Sequence, residues 1–373
     1  MKTSRTFQSL ILFFITVVGV VVVLAVAEQH FKLLHFQKLR FAFTSDHFIR
    51  LRTLAPNDKQ TSSLSDKTKM DSFELEIKDF NITTDSFGFI VTERNHPHPD
   101  LNFAFFGGSC TQCIYVDEDN RMPEAVARAV EKKTGYKINS WNCAAGGTHS
   151  YHTLNVLNNL ALNLNPNYAF FYANANDIIT LIHHGTYNNL HLDRGVFFSI
   201  DEYEKRYGVE IGGGFPFIID AFKTRFNLKP PQDDMADIRG LKLHLDSSEI
   251  MTPIARVYRT IISSCKANNI KPVLITQRTN LDRLSHEWLL KNMPFFTPTA
   301  EEYIRFRLLF HQYNSLLRQI AKEENVMLID LDGEPLGIEN FYDVVHFNSK
   351  GSLAVSEMIA TQFVEKAKFF EEK

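Results

Sequence analysis

Ser109 is the residue of this sequence best placed to act as a nucleophile. The apolar run Phe103–Phe106 leads directly into Gly107 and Gly108, and an amphipathic stretch begins at the serine. This pattern predicts a buried strand, a tight turn and the start of a helix. Such a turn exposes a hydroxyl at the carboxyl end of a strand, where backbone N–H groups can hold an oxyanion. Two glycines before a serine also occur in ordinary loops, so the interpretation depends on motifs further along the chain.

Three later turns carry the other groups that acyl transfer needs. In residues 142–148 (NCAAGGT), glycines let a backbone N–H approach a ligand closely. Asn174 and Asn176 offer side-chain amides that can donate to an oxyanion. Asp343 precedes His346 by three residues, a spacing that puts a carboxylate and an imidazole on one face of a turn. The histidine then supplies a general base, and the aspartate orients it.

Each of these motifs also has a purely structural interpretation. Asparagine-rich turns cap helices, paired glycines form turns, and an Asp-x-x-His pair on a surface loop is most often structural. A nucleophile, two kinds of oxyanion donor and a base at four turns nevertheless fit a single reaction class. We therefore favour the catalytic interpretation of the set.

Strands and helices alternate from residue 101 onward. Short apolar runs bounded by turn residues predict strands, and helical periodicity between them predicts helices. The predicted strands are 103–106, 137–143, 168–172, 272–276 and 326–330. The predicted helices are 124–133, 151–164, 254–268, 300–323 and 350–370. This alternation indicates βαβ units and a parallel sheet with helices on both faces, whose active site lies at the carboxyl ends of the strands.

The first two motifs resemble sequence blocks of the SGNH hydrolases, also called the GDSL esterase family. The segment FFGGSCT resembles the Gly-x-Ser block at Ser109, with Gly108 where many members have Asp. The segment NCAAGGTHS resembles the second block, in which Gly147 has the position of the oxyanion-hole glycine. SFGF at 86–89 is similar to the lead-in of membrane-anchored bacterial members.

The remaining motifs resemble the family's later blocks in the same order. The third block is usually Gly-x-Asn-Asp and reads Asn174-Ala-Asn-Asp177 here, so the oxyanion asparagine corresponds to Asn176. Asn174 replaces the family glycine, which it can do with little strain if this position has a positive φ. The segment DVVHFNSKGSLAVSEMI resembles the last block at Asp343 and His346.

The resemblance spans roughly residues 87–365 and implies a flavodoxin-like α/β sandwich with about five parallel strands. It implies ester hydrolysis or acyl transfer through a Ser109 acyl-enzyme, with no metal or organic cofactor. The implied oxyanion hole consists of Ser109, Gly147 and Asn176, and the implied catalytic residues are Ser109, Asp343 and His346. Four histidines lie close together in sequence but lack a recognised metal-ligand spacing, so no metal site is predicted: His149, His152, His183 and His184.

The composition is that of a globular chain with a large core. Of the 373 residues 44% are hydrophobic, and a formal net charge of −3 without a basic block gives no footprint for nucleic acid. Four cysteines are too few for a disulfide framework. Cys110 and Cys113 match C-x-x-C, but no second pair completes a zinc site, and an isolated pair is weak evidence for redox chemistry. A disulfide among Cys110, Cys113 and Cys143 is compatible with an oxidising compartment.

The N-terminal segment is predicted to enter a membrane. Lys2 and Arg5 precede the almost wholly apolar run 10–27, whose length suits a short transmembrane helix, and an uncleaved signal anchor is favoured. A cleaved signal peptide is the alternative, because residues 25–27 (AVA) supply a small-residue cleavage site. Both interpretations place the following domain outside the cytoplasm, either anchored at the periplasmic or cell surface or secreted.

The remaining chain divides into three predicted parts. Residues 28–85 are interpreted as a stalk or linker with a short β element at 73–80, and residues 86–373 as the SGNH hydrolase-like domain. Residues 178–248 are interpreted as an insertion after the third strand, including the glycine-rich turn 212–217. This insertion is either a substrate-binding lid or a subdomain that only buttresses the sheet.

These observations predict an extracytoplasmic serine esterase that removes O-acetyl or other short acyl groups from envelope carbohydrate. An O-acyltransferase that passes the acyl group to a sugar hydroxyl shares the same chemistry up to the acyl-enzyme. A catalytically inactive SGNH-like binding module is the alternative from another class. The predicted partners are therefore an acylated carbohydrate or another small ester, and the membrane through the N-terminal segment.

Overall fold

The structure is a computed structural model that describes residues 13–30, 47–63, 75–76, 78–92, 95–189, 194–199, 243–292 and 298–367. Its strands are β1 (His47–Ile49), β2 (Lys59–Ser62), β3 (Phe80–Thr83), β4 (Leu101–Phe106), β5 (Ile138–Asn142), β6 (Tyr168–Tyr172), β7 (Phe197–Ser199), β8 (Lys271–Ile275) and β9 (Met327–Ile329). Its helices are α1 (Phe13–His30), α2 (Ser109–Gln112), α3 (Met122–Thr134), α4 (Ser150–Asn159), α5 (Ala175–His184), α6 (Ser247–Ala267), α7 (His286–Asn292), α8 (Ala300–Glu324) and α9 (Ser349–Ala367).

The main sheet has five parallel strands in the order β5-β4-β6-β8-β9. Among these strands the chain order is 2-1-3-4-5, which is the flavodoxin-like order. The predicted α/β fold class with a parallel five-stranded sheet is therefore confirmed. The chain reverses its direction of travel across the sheet at β4, and the carboxyl ends of β4, β5 and β6 lie side by side there. Crevices at such switch points are where these sheets bind ligands.

Aromatic side chains fill both faces of the sheet. Phe105 stacks on Phe170 with ring centroids 4.5 Å apart, and on the opposite face Phe106 stacks on Phe171 at 5.0 Å. Both faces are buried because helices cover them, which explains why the strands are continuously apolar instead of alternating. On one side α3 packs against α9, and on the other α6 packs against α4 and α8. The rigid sheet thus fixes the strand ends that carry the polar turns.

The main elements agree in type and order with the sequence prediction, while several of their bounds differ. The predicted helix 254–268 begins earlier, at Ser247, because the Asp246 carboxylate caps it there. The predicted helix 151–164 ends at Asn159, and a 3₁₀ turn covers Ala161–Leu164. Of the predicted β element at 73–80, residues 73, 74 and 77 lie outside the described residues, and β3 begins at Phe80, from which its side chains alternate between buried and exposed. The first residues of the predicted insertion, 178–184, continue α5 and bury Ile178, Leu181 and Ile182 at helical spacing.

The rest of the predicted insertion is only partly described. Residues 185–189, 194–199 and 243–246 precede α6, whereas the glycine-rich turn 212–217 lies outside the described residues. The domain boundaries inferred from the sequence stay predictions.

By its internal contacts the chain forms two compact units. The larger comprises residues 49–196 and 235–373 and contains the five-stranded sheet and the antiparallel pair β2–β3. The smaller comprises residues 1–48 and 197–234 and contains α1. With a mean hydropathy of 2.0 over its 18 residues, α1 is long and apolar enough to cross a membrane, although a signal sequence has the same properties.

Candidate active site

Ser109 begins the short helix α2 directly after β4. The backbone N–H groups of Thr111 and Gln112 both donate to the carbonyl oxygen of Gly108 at 3.0 Å, which closes the turn. The side-chain amide of Asn142, at the end of β5, donates to the carbonyls of Thr111 and Gln112 at 3.2 Å each. These carbonyls lie at the end of a four-residue helix, which is too short to provide backbone N–H donors for them. The neighbouring strand therefore holds the turn that presents Ser109.

Gly108 is closely surrounded by side chains of the turn that follows β6. A Cβ at this position would lie 2.6 Å from Asn176 Nδ2, 2.8 Å from Asn174 Oδ1 and 2.9 Å from Asn174 Nδ2. Real Cβ contacts are essentially never that short, so the two asparagine side chains take up the space that a side chain here would need. The same contact shows that the amide nitrogen of Asn176 lies beside the residue preceding Ser109.

Asp343, His346 and Ser109 form a continuous chain of hydrogen bonds. His346 Nε2 lies 2.6 Å from Ser109 Oγ, and His346 Nδ1 lies 2.6 Å from Asp343 Oδ2. The other carboxylate oxygen, Oδ1, accepts from the backbone N–H groups of Val345 at 2.9 Å and His346 at 2.7 Å. The structure thus brings together the predicted nucleophile, base and orienting acid, in the geometry that nucleophile activation requires.

Burial and charge shift the pKa values of this pair in opposite directions. Burial alone would lower the pKa of His346, but the Asp343 carboxylate outweighs it and raises that pKa above its ordinary value. Burial alone would raise the pKa of Asp343, but the charge and hydrogen bonds of His346 outweigh it and lower that pKa. Each group therefore favours the charged form of the other, and an imidazolium formed at His346 is stabilised.

The loop that carries Asp343 and His346 is held at both ends and from the side. Phe341 and Phe347 form an antiparallel bridge, and the N–H of Tyr342 donates to the carbonyl of His346 at 3.0 Å. The Tyr342 ring lies parallel to the imidazole, 5.3 Å away. The Cys110 thiol donates to the carbonyl of Val345 at 3.4 Å, which ties this loop to the nucleophile turn. The imidazole is consequently fixed in position between Asp343 and Ser109.

Gly147 follows β5 with a φ of +69°, in the left-handed region that favours glycine. A Cβ here would also lie 2.5 Å from Nη2 of Arg52, whose Nε donates to the carbonyl of Gly146 at 2.8 Å. The backbone conformation therefore favours glycine at this position, and the arginine side chain packs directly against it. The predicted second-block glycine therefore lies in a turn that is braced by an arginine.

Asn174 and Asn176 have different roles at the start of α5. Asn174 caps the helix, because its Oδ1 accepts from the N–H of Asn176 at 3.0 Å, and its Nδ2 donates to the carbonyl of Thr148. Its φ of −129° is extended. The condition of a positive φ, under which asparagine would replace glycine with little strain, is therefore not met, and the helix cap explains the residue instead. Asn176 Nδ2 donates to the Thr148 carbonyl at 3.0 Å and faces the nucleophile turn.

Asp177 links this turn to the glycine turn from the buried side. Its carboxylate is fully buried and accepts from the N–H and hydroxyl of Ser150, at 2.9 and 2.6 Å, and from the hydroxyls of Tyr187 and Tyr313. Burial raises the pKa of Asp177 although these donors oppose the shift. Because Ser150 begins α4 just after Gly147, the carboxylate joins the two strand-end turns.

Sequence reasoning missed Arg52 and Arg194. Arg52 lies in the stretch interpreted as a stalk, and Arg194 lies in the predicted insertion. Arg194 is only 4% exposed, and its Nη1 donates to Oδ1 of Asn176 at 2.7 Å. No local pattern around either residue signals these contacts, which only the folded chain creates.

The four cysteines and three of the four histidines singled out in the sequence are buried inside the fold. All four cysteines are buried free thiols, so the compatible disulfide among Cys110, Cys113 and Cys143 is not formed. His149 and His152 are buried with ring centroids 3.9 Å apart. His183 Nδ1 donates to the carbonyl of Ile179 within its own helix at 2.7 Å. Among the described residues no group of three potential metal ligands comes together.

Chemically, the site offers a hydroxyl next to a base and an amide donor beside it. A hydroxyl 2.6 Å from an imidazole can lose its proton as it attacks a carbonyl carbon. Ser109, Gly147 and Asn176 lie in the turns that follow three adjacent strands of the sheet, β4, β5 and β6. A hydroxyl held beside an imidazole is what nucleophilic acyl transfer requires.

Comparisons with known proteins find esterases among the solved structures to which the chain is similar. No protein-family model matches the chain, and no curated protein matches it. It is similar to the crystal structure of Axe2, an acetylxylan esterase from Geobacillus stearothermophilus, at 12% identity and a TM-score of 0.40, covering 72% of this chain and 95% of that one. It is similar to a GDSL-like lipase from Bacteroides thetaiotaomicron at 16% identity and a TM-score of 0.37, covering 71% and 88%. Likeness at this level carries no argument about chemistry, which rests on the site itself.

Proposed function

We propose that this protein is a serine ester hydrolase of SGNH type that works through an acyl-enzyme on Ser109. The observation that carries the proposal is the hydrogen-bond chain from Asp343 through His346 to Ser109, with 2.6 Å at each link of the imidazole. A structural role would not require the serine hydroxyl, the imidazole and the carboxylate to be aligned in this order.

In the first half-reaction the Ser109 hydroxyl attacks the acyl carbon of the ester. Its proton moves to His346 Nε2, and Asp343 stabilises the resulting imidazolium through Nδ1. The negative charge on the former carbonyl oxygen is held by the N–H groups of Ser109 and Gly147 and by Nδ2 of Asn176. When this tetrahedral species collapses, the bond to the alcohol oxygen breaks and His346 returns the proton to the leaving alcohol.

In the second half-reaction water replaces the alcohol. His346 takes a proton from the water as its oxygen attacks the acyl carbon, and the same donors hold the new oxyanion. Collapse releases a carboxylic acid and restores the Ser109 hydroxyl. Apart from the ester and one water molecule, the cycle needs only groups that this chain supplies.

For the substrate we infer O-acetyl or other short acyl esters of envelope carbohydrate. Helix α1 supports this inference, because an anchor or signal at the N-terminus would deliver the following domain to the compartment where such esters are exposed. An acyl-enzyme can also be resolved by a sugar hydroxyl instead of water, which would make the protein an O-acyltransferase.

Labelling with a fluorophosphonate probe, followed by peptide mapping, tests the proposal. The wild-type chain in detergent is expected to be labelled at Ser109, and Ser109→Ala is expected to remove the label. Ser315→Ala is the matched control, because this serine is exposed on α8 and bonds only within its helix in the described contacts. A wild-type chain that resists labelling would support an inactive binding module.

Kinetics with a small acetyl ester complete this test. Ser109→Ala, His346→Ala and the double variant are expected to lose nearly equal amounts of kcat, because nucleophile and base act in one step. Losses that multiply in the double variant would contradict a shared step. If an added carbohydrate acceptor becomes acylated while free acetate falls, the enzyme is a transferase, whereas unchanged acetate release identifies a hydrolase.

A further inference from the structure

Two arginines contact the acceptor ends of the amides that donate to the proposed oxyanion hole. Arg52 Nε donates to the carbonyl oxygen of Gly146 at 2.8 Å, and Arg194 Nη1 donates to Oδ1 of Asn176 at 2.7 Å. We propose that Arg52 and Arg194 are positioning residues, which orient and polarise the N–H groups of Gly147 and Asn176 for the developing oxyanion. This inference rests on the proposed function.

Peptide geometry explains how Arg52 acts on Gly147. The carbonyl of Gly146 and the N–H of Gly147 belong to the same planar trans peptide, so they point in opposite directions. A guanidinium that holds the carbonyl therefore fixes the direction of the N–H. Glycines on both sides, Gly146 and Gly147, leave this peptide unit free to rotate in the absence of a restraint, because glycine has the widest choice of backbone conformations. Arg52 supplies that restraint.

The side-chain amide of Asn176 is also held in one orientation by contacts at both of its ends. Its Oδ1 accepts from Arg194, and its Nδ2 donates to the Thr148 carbonyl at 3.0 Å and lies beside Gly108. An arginine can only donate and a carbonyl can only accept, so the two partners together fix which end of the amide faces the nucleophile. The second N–H of Nδ2 is then available for the oxyanion.

The charges add an electronic effect to this orientation. A cationic donor at the oxygen of an amide polarises the group and strengthens its N–H as a donor. Positive charge close to the site of oxyanion formation also stabilises the transition state more than the neutral ester. Arg194 exerts this effect in a dry environment, because it is 4% exposed.

Two buried histidines hold the Arg194 segment in place. His149 Nε2 donates to the carbonyl of Arg194 at 2.9 Å, and His152 Nε2 donates to the carbonyl of Gly195 at 3.0 Å. Burial lowers the pKa of both rings, that of His152 to about 3, so they remain neutral donors beside the arginines. The stretch that carries Arg194 is thus attached to the turn that carries Gly147.

The experiment measures kcat and KM of the full-length protein with a small acetyl ester. Arg194→Gln and Arg52→Gln are each expected to lower kcat about tenfold to a hundredfold with little change in KM, as substitutions behind an active group usually do. Arg259→Gln is the control, because Arg259 pairs with Glu323 at 2.7 Å on the exposed surface of α6 and α8. It is expected to leave both constants unchanged.

A double-mutant cycle separates positioning from general support of the fold. If Arg194 acts through Asn176, Arg194→Gln causes no further loss of kcat in an Asn176→Ala background. Arg52→Gln still lowers kcat there, because it acts through Gly147. Arg194→Lys, which keeps the charge but not the fixed fork, is expected to lie between wild type and Arg194→Gln.

The possible results distinguish a failure of this inference from a failure of the proposed function. An active wild type whose arginine variants keep their kcat overturns this inference alone, and so does an Arg194→Gln loss of equal size in both backgrounds. A wild type that neither hydrolyses esters nor reacts with the fluorophosphonate overturns the proposed function and this inference with it. If Arg194→Gln does not fold, as judged by its melting temperature, the Arg194→Lys and Arg52→Gln variants carry the test.

Discussion

Gly108 and Asn174 compete for the same space: a Cβ on Gly108 would lie 2.8 Å from Oδ1 and 2.9 Å from Nδ2 of Asn174. In the family pattern that the sequence resembles, many members have Asp at the first position and glycine at the second. This chain has the small residue first and the amide second. The two departures from the pattern therefore compensate for each other across the switch point of the sheet.

This compensation predicts a rescue. Gly108→Asp is expected to lower the melting temperature and kcat, because its side chain has to displace the amides of Asn174 and Asn176. Adding Asn174→Gly to Gly108→Asp is expected to restore part of both, since it vacates that space at the expense of a helix cap. Thermal unfolding and ester hydrolysis of the single and double variants measure the effect.

Gly333→Asp is the control for the rescue, because a Cβ at Gly333 meets nothing within 4 Å. Gly333→Asp is expected to change neither the melting temperature nor kcat. A double variant that is no better than Gly108→Asp alone would contradict the compensation.

The pH profile is expected to depend on Asp343. The base form of His346 is required, so kcat/KM falls as the pH drops through its pKa, which lies above the ordinary value of 6.5. Asp343→Asn removes the charge that raises this pKa and leaves burial, which lowers it, so the acid limb is expected to move to lower pH. The same change is expected to reduce kcat by up to about 10⁴. An acid limb that stays in place would show that another group titrates.

Asn176 is expected to contribute mainly to the transition state. Asn176→Ala should lower kcat by roughly 10² to 10³, or about 2.7 to 4 kcal/mol, with little change in KM. Asn159→Ala, on an exposed amide that bonds within its own helix, should have no effect. A change confined to KM would indicate that Asn176 binds the substrate without stabilising the oxyanion.

The location of the catalytic unit is tested with a reporter that is active only outside the cytoplasm, fused after Lys373. Because the basic N-terminus precedes an apolar helix, the fusion is expected to be active. Resistance of the domain to protease added to spheroplasts would contradict this prediction.

The local parts of the site could be predicted from the sequence. Ser109 follows a strand and a glycine turn, and Asp343 and His346 are three residues apart, so short-range patterns reveal each of them. The parallel sheet could also be predicted, since its buried strands are continuous apolar runs in the sequence.

Contacts between distant parts of the chain could not be predicted. Arg52 donates to the carbonyl of Gly146, which lies 94 positions further along the sequence, and no pattern around the arginine marks it as part of the site. The extended φ of Asn174 depends on the carbonyl of Thr148 and on the space beside Gly108, neither of which is visible in its own segment. Long-range packing thus determines how the local motifs are oriented.

The central claim, an acyl-enzyme on Ser109, is tested most directly by trapping it. The wild-type protein is mixed with p-nitrophenyl acetate, quenched with acid before steady state and digested for mass spectrometry. We expect one acetyl group on the peptide that contains Ser109, and no acetylated peptide from Ser109→Ala. Acetylation of another residue, or hydrolysis by Ser109→Ala at the wild-type rate, would contradict the acyl-enzyme mechanism.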